Sequence, residues 1–136
     1  MPTVCNPVLT CVQQAGIGEA VVLNISYEVT FSPIERYLAA HGLSFEEHIT
    51  IVGEDPGSGG ELVLHVLPTE QIWVSDGLEP VAVVRRRNLT VPRNSLREDG
   101  WPFNDEIDAR IEVVAVGMPL PVTSVTTREI SLAATI

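Results

Sequence analysis

The chain has 136 residues, of which 45% are hydrophobic and only 5% aromatic, so its core must be built mainly from Val, Ile, Leu and Ala. Eighteen acidic residues against eight basic ones give a formal net charge of −10, which disfavours general nucleic-acid binding because a polyanion would be repelled. All eight basic residues are arginine, which excludes Schiff-base chemistry and a lysine base or phosphate anchor.

The length favours one domain over residues 1–136, and such a domain can bury a core without metal or disulfide. Cys5 and Cys11 are predicted to be free buried thiols. The alternatives are an intramolecular disulfide across an Asn6-Pro7 turn and an inter-subunit disulfide. The sequence as given carries no charged leader with an apolar segment and no run of 18 apolar residues. We therefore expect a soluble protein with no membrane span, cytoplasmic by default, with a mature exported form as the alternative.

Residues 20–31 alternate without a break between apolar and more polar positions, following an apolar arm at Val4 to Val12. This period of two, rich in β-branched residues, predicts a strand with one buried and one wetter face. Twelve extended residues span about 40 Å, so we expect a central strand or one that bends between two sheets. Its second face is less polar than a fully solvated one, which suggests cover by a terminal arm or another subunit.

A short helix is predicted over residues 33–41, where apolar residues recur three and four positions apart. Ser32 would be its N-cap, with Pro33 first in the helix and Glu35 as the capping-box acid. Gly42 would end the helix and let Leu43 contact Leu38.

Alternation resumes at Leu43, Phe45, Ile49 and Ile51, although Glu47 falls on the same side and suggests a bulge or an exposed start. A glycine-rich loop is predicted at residues 53–60. Further strands are predicted at residues 61–67, 71–75, 81–87, 107–116 and 122–134. The pattern favours an all-β fold, a single antiparallel β-sandwich of immunoglobulin-like or related topology with one short crossover helix, and a closed barrel is the alternative.

Five arginines lie within thirteen residues and concentrate the positive charge of an acidic chain. They are Arg85, Arg86, Arg87, Arg93 and Arg97. The pattern favours arginines that solvate a strand edge, and a binding site for an acidic partner or an anion is the functional alternative.

Acidic residues cluster around a Gly100-Trp101-Pro102 turn, and two more occupy the glycine-rich loop. Calcium prefers six to eight oxygen ligands from flexible loops, so the candidate ligands are Asp55, Asp99, Asp105 and Asp108. Ion pairing of this cluster with nearby arginines is the competing interpretation. No other cofactor is predicted.

Catalytic motifs are missing: no serine lies in a Gly-x-Ser-x-Gly elbow, and the three histidines show no zinc-ligand spacing. An acid/base hydrolase using Asp99 and Asp105 is therefore the least favoured function. A calcium-dependent module that binds a sugar or lipid headgroup is the second hypothesis.

The leading hypothesis is a non-catalytic structural or interaction protein, a self-assembling or accessory subunit. Both ends of the chain are apolar or β-prone, so residues 1–12 and 122–136 are candidate assembly arms that could extend the sheet of a neighbouring subunit. The expected partner is a second copy of this chain or another protein, and the arginine-rich strand could meet the acidic surface between copies.

Overall fold

A computed structural model describes residues 2–13, 20–55, 60–96, 105–117 and 123–132. Within these ranges lie nine strands and one α-helix. In chain order they are β1 (Thr3–Gln13), β2 (Ala20–Phe31), α1 (Pro33–Ala40), β3 (Ser44–Asp55), β4 (Gly60–Val66), β5 (Glu70–Ile72), β6 (Val81–Pro92), β7 (Asp105–Val116), β8 (Thr123–Thr126) and β9 (Ile130–Leu132). A short 3-10 helix, Arg93–Leu96, follows β6. The all-β expectation with one short helix is confirmed.

The strands form two antiparallel sheets. The three-stranded sheet has the order β1-β2-β6. The six-stranded sheet has the order β4-β3-β7-β8, with β5 also paired to β3 and β9 also paired to β7. Side chains from the inward faces of both sheets join one hydrophobic core, in which the Phe31 and Phe45 rings lie 4.9 Å apart.

Strand β2 has the bounds that its alternation predicts, and it is central because β1 and β6 pair with its two edges. Its odd-numbered residues from Val21 to Phe31 are buried, whereas its even-numbered residues are half-buried. The strand therefore presents one complete face to the core and leaves the other on the outside of the sheet.

Helix α1 begins with the predicted capping box. The Glu35 amide donates to the Ser32 hydroxyl at 3.2 Å, and the Ser32 amide donates to the Glu35 carboxylate at 2.7 Å. At the other end Gly42 adopts a φ of 105°, and the Leu43 amide donates to the Leu38 carbonyl at 3.0 Å. A positive φ is readily available to glycine, so this residue turns the chain from the helix into β3.

Some predicted bounds differ from the structure. Strand β3 continues to Asp55 and β4 begins at Gly60, so the described strands enter the predicted 53–60 loop from both sides. The region predicted as one strand over 122–134 contains two strands, β8 and β9. Between them the Thr127 amide donates to the Ala109 carbonyl and its hydroxyl accepts from the Ala109 amide, both at 2.9 Å. Thr127 is therefore held against β7 although it lies between the two strands.

Both candidate arms, where they are described, lie in strands paired within the same chain. Residues 3–13 pair with β2, and residues 123–126 and 130–132 pair with β7. The Thr123 hydroxyl also donates to the Pro2 carbonyl at 2.8 Å, so the two segments meet in space. Their participation in assembly stays a prediction.

Candidate interaction surface

The arginines of β6 divide between the two faces of the strand. Arg85 and Arg87 are half-buried, whereas Arg86 is exposed on the opposite face, as strand alternation requires. Arg93 is buried in the 3-10 helix that follows, and Arg97 lies outside the described residues. The local excess of positive charge in the sequence is thus split, and part of it faces into the molecule.

The inward arginines meet a buried carboxylate on β3. Arg85 Nε lies 3.3 Å from Glu47 Oε1, and Arg87 Nη1 donates to Glu47 Oε2. Arg85 Nη2 also lies 2.9 Å and Arg87 Nε 3.4 Å from the carboxylate of Glu70 on β5. The Tyr27 hydroxyl of β2 donates to Glu47 Oε1 at 2.5 Å. We call these five residues the Glu47 cluster; two guanidinium groups there balance two carboxylates and link the sheets.

Burial and the contacts with Glu47 shift the pKa of two residues in this cluster, Tyr27 and Arg85. Burial raises the pKa of Tyr27 above its ordinary value, and the hydrogen bond to the Glu47 carboxylate raises it further. For Arg85, burial disfavours the charged form, but hydrogen bonding and charge attraction from Glu47 outweigh it and leave the pKa raised. Tyr27 is therefore held protonated as a donor, and both oxygens of Glu47 are engaged by neighbours.

The expectation of a bulge or exposed start at Glu47 is wrong. Glu47 has no exposed surface and pairs in regular register with Glu70 on one side and Val113 on the other. An acidic residue on the buried face of a strand is stable there because two arginines and a phenol hydroxyl face it. The sequence signal for its partners was the pair Arg85 and Arg87, two cations on one face of a strand that belongs to the other sheet.

A second arginine cluster joins helix α1 to the segment after β5. The Arg36 guanidinium donates to the carbonyls of Ser75 (2.9 Å), Asp76 (2.6 Å) and Glu79 (2.5 Å), and to the Ser75 hydroxyl at 3.2 Å. A Cβ placed on Gly77 would lie 2.2 to 2.7 Å from the same guanidinium. The segment therefore wraps closely around Arg36, which is why β5 ends at residue 72 although a strand is predicted to residue 75.

Large apolar side chains lie exposed on the two segments that Arg36 joins. Trp73 is 79% exposed and Leu78 is 94% exposed, and Ile34 and Tyr37 are exposed on the outer side of α1. We call these four residues the helix–loop patch. The Tyr37 ring also stacks on His41 with ring centres 4.2 Å apart. Exposed aromatic and aliphatic side chains on a segment fixed by hydrogen bonds are typical of a contact surface.

An open, mostly apolar cavity of about 250 Å³ lies at the end of α1. It is lined by Leu38, His41, Gly42, Leu43, Val116 and Gly117. Val116 pairs with Ser44 in the six-stranded sheet, and Ile72 pairs with the next residue, Phe45, on the other edge of β3. Trp73, which follows Ile72, therefore lies at the same end of this sheet as the cavity.

The outer face of the three-stranded sheet forms another candidate surface. Val8, Val12 and Val84 are about half exposed there. In the described part of the chain, this face carries two charged residues, Glu28 on β2 and Arg86 on β6. They lie diagonally across the two strands, because Glu28 pairs with Val84 and Arg86 pairs with Ser26. The remaining outward positions are uncharged: Thr3, Cys5, Thr10, Ala20, Val22, Asn24, Ser26, Thr30, Ala82, Asn88, Thr90 and Pro92.

The four candidate calcium ligands are only partly placed. Asp108 is buried on β7 opposite Val52. Asp55 ends β3 and Asp105 begins β7, but their side chains lie outside the described part, as does the whole of Asp99. Among the described residues, no three His, Cys, Asp or Glu side chains are grouped to hold a metal ion. Calcium binding and the Asp99–Asp105 acid pair stay predictions.

Both cysteines are free thiols, as predicted, but they are half-buried rather than buried. Cys5 lies opposite Glu28 and Cys11 opposite Leu23, which separates them by about 17 Å along β2. Burial raises the pKa of the Cys11 thiol, and the positive charge of Arg93 partly offsets this. Asn6, with a φ of 52°, forms part of a bulge in β1 rather than a turn that brings the thiols together.

Comparisons with known proteins give only distant likenesses. No protein-family model matches the chain, and no curated protein matches it. Among solved structures, a Bordetella pertussis protein provisionally named ApaA is 12% identical, with a TM-score of 0.40 over 98% of this chain and 94% of that one. The structural-genomics target SoR45 is also 12% identical, with a TM-score of 0.33 over 98% and 86% of the two chains.

In the described residues no helix is long and apolar enough to cross a membrane.

Proposed function

We propose that this chain is a non-catalytic β-sandwich of immunoglobulin-like or related topology that acts as a self-associating subunit. In this proposal two copies meet through the outer faces of their three-stranded sheets. The observation that carries it is the nearly uncharged outer face, on which Val8, Val12 and Val84 are half exposed in a chain of net charge −10. A contiguous surface of this kind is more typical of a contact than of a solvated face in so acidic a protein.

The size of the face supports a dimer of moderate strength. Three strands of about twelve residues cover about 40 Å by 14 Å, or roughly 560 Å² on each copy. Two copies would bury about 1,100 Å² in total, close to the lower limit for a specific interface. We therefore expect dissociation constants in the micromolar range rather than an obligate dimer.

The charged pair on this face is self-complementary. Glu28 and Arg86 occupy neighbouring diagonal positions on adjacent strands. A two-fold axis passing between them would place Glu28 of each copy opposite Arg86 of the other. Such pairs at an interface fix the register of association and exclude other arrangements.

The sheet edges support a contact through the face rather than through added strands. In the described part of the chain, β1 and β4 each carry a register irregularity, and β5, β8 and β9 have only three or four residues. Strand β6 is long, but Arg85 and Arg87 point inward from it. Bulges, short edge strands and inward-pointing charges are the features that hinder pairing between edges.

The Glu47 cluster supports the non-catalytic part of the proposal. A catalytic acid or base must reach a proton of the substrate, but Glu47 is fully buried and both of its oxygens accept from arginine or tyrosine. The buried charges in this cluster therefore contact one another across the two sheets and not a substrate.

Sedimentation velocity from 5 to 500 µM, at low and high salt, tests self-association. We expect a monomer–dimer equilibrium that Val84→Asp shifts to monomer, while Val63→Asp, at an exposed apolar position on β4, leaves it unchanged. Glu28→Arg and Arg86→Glu should each weaken the dimer, and the double variant should restore it. A strict monomer at every concentration, or equal effects of Val84→Asp and Val63→Asp, would refute the proposal.

A further inference from the structure

The geometry points to a second binding site, on the helix–loop patch and the adjoining cavity, for an amphipathic basic segment of another protein. This site lies on α1 and the segment after β5, whereas the proposed dimer contact lies on the three-stranded sheet. The inference therefore does not depend on self-association. It is argued from the rigidity of the patch, the size of the cavity and the charge around them.

The patch is held in place before any partner arrives. Three backbone carbonyls and one hydroxyl of residues 75–79 accept from Arg36, so the segment that carries Leu78 is fixed to α1. Trp73 directly follows Ile72, the β5 residue that pairs with Phe45 of β3. A surface whose backbone is already ordered loses little conformational entropy on binding, so its apolar contacts contribute more fully to affinity.

The cavity has the size for one anchor side chain. Its volume of about 250 Å³ is small for a whole ligand but suits one aromatic or leucine side chain. Leu38, Leu43 and Val116 supply apolar walls, and His41, stacked on Tyr37, lies at its border. An apolar anchor side chain in a well-packed pocket is the arrangement found at the centre of strong peptide contacts.

The charge around the patch selects a basic partner. Asp76 and Glu79 are exposed on either side of Leu78, while the one arginine of the site, Arg36, is buried and donates to carbonyls. The exposed charge is therefore negative, and lysine or arginine on the partner would complement it.

A second copy of this chain does not have the required chemistry. The chain contains no lysine and has a net charge of −10. Of its described arginines, Arg85 and Arg87 pair with carboxylates within the chain, and Arg36 and Arg93 are buried. Arg86 and Arg128 are exposed, but they lie singly on different segments and do not form a basic segment. The occupant we infer is thus a segment of a different protein, with one large apolar anchor flanked by basic residues.

Peptide binding to the full chain carrying Trp101→Phe tests the inference, because Trp73 is then its single tryptophan. The probe is a 14-residue amphipathic peptide of leucine and lysine with one central phenylalanine. Its controls are a scrambled peptide of the same composition and the same peptide with glutamate in place of lysine. We expect the amphipathic probe to shift Trp73 emission to shorter wavelength, and to bind at least tenfold more tightly than either control.

To locate the site, the affinity of each protein variant for the probe is measured from the fluorescence anisotropy of the labelled peptide. Leu78→Asp and Trp73→Ala should each weaken binding at least tenfold, and circular dichroism should show unchanged folding because both side chains are exposed. Val84→Asp, on the proposed dimer face, should leave the affinity unchanged, so failure of self-association and failure of this site are distinguishable. Equal binding of the scrambled peptide, no binding, or a smaller loss in the two patch variants would overturn the inference.

Discussion

Replacing Glu47 with glutamine should destabilise the protein far more than the same change at Glu70. Glu47 has no exposed surface and accepts from Tyr27, Arg85 and Arg87, so the variant leaves two guanidinium groups facing a neutral amide. Removing one partner of a buried ion pair costs about 3–5 kcal/mol. Because both arginines keep Glu70 as a partner and their side chains are 20% and 11% exposed, we expect a loss near the lower limit, about 3 kcal/mol.

Glu70 provides the matched control, since its side chain is 48% exposed and contacts the same two arginines. An exposed ion pair contributes about 0–1 kcal/mol, so Glu70→Gln should cost less than about 1 kcal/mol. Urea unfolding at pH 7 measures both values, with equal denaturant slopes showing that the unfolded states are comparable. Equal losses in the two variants would refute the view that burial of Glu47 decides its contribution.

Three further changes test other parts of the structure. Since the pKa of Tyr27 is raised above its ordinary value of 10.0, only the unfolded state releases this proton above pH 10. Stability should therefore fall with a slope that approaches about 1.4 kcal/mol per pH unit near pH 11. Tyr27→Phe should remove that part of the slope in urea unfolding from pH 9 to 11. Ser32→Ala should cost about 1 kcal/mol in thermal unfolding, because the Glu35 amide loses its acceptor; no loss would show that the cap is not stabilising. Gly77→Ala should lower the free energy of unfolding by about 1–3 kcal/mol, because the new Cβ displaces the Arg36 guanidinium from its carbonyl acceptors. The same change should cost little when Arg36 is already replaced by methionine. If Gly77→Ala costs the same with Arg36 as with methionine in its place in a double-mutant cycle, the clash is contradicted.

The two proposals make different demands on the surface. Self-association needs an uncharged face that repeats on both copies, and the outer face of the three-stranded sheet provides one. Binding of a basic segment needs exposed apolar anchors beside carboxylates, and the region around Leu78 provides those. Because the two regions lie on different elements, a dimer could present two copies of the helix–loop patch.

The sequence was most informative where the determining interactions lie close together along the chain. The alternation over residues 20–31 predicted the bounds of β2, and Ser32 with Glu35 predicted the start of α1. Strand periodicity and capping are local, because they act through neighbouring residues or within one helical turn. The sequence was less informative about residues 73–75, which were predicted to continue a strand but lie in the segment that contacts Arg36.

Sequence alone thus determined that the chain is all-β with one short helix, since periodicity and capping depend only on nearby residues. The tertiary structure alone decided which charges are internal: Glu47 lies 38 and 40 residues from the arginines that balance it, and Arg36 lies 39 to 43 residues from its acceptors. Such pairings depend on how the sheets and the helix pack, and no local pattern specifies them. Packing therefore assigns Arg85 and Arg87 to the interior, leaves Arg86 on the surface, and joins the segment that carries Leu78 to helix α1 through Arg36.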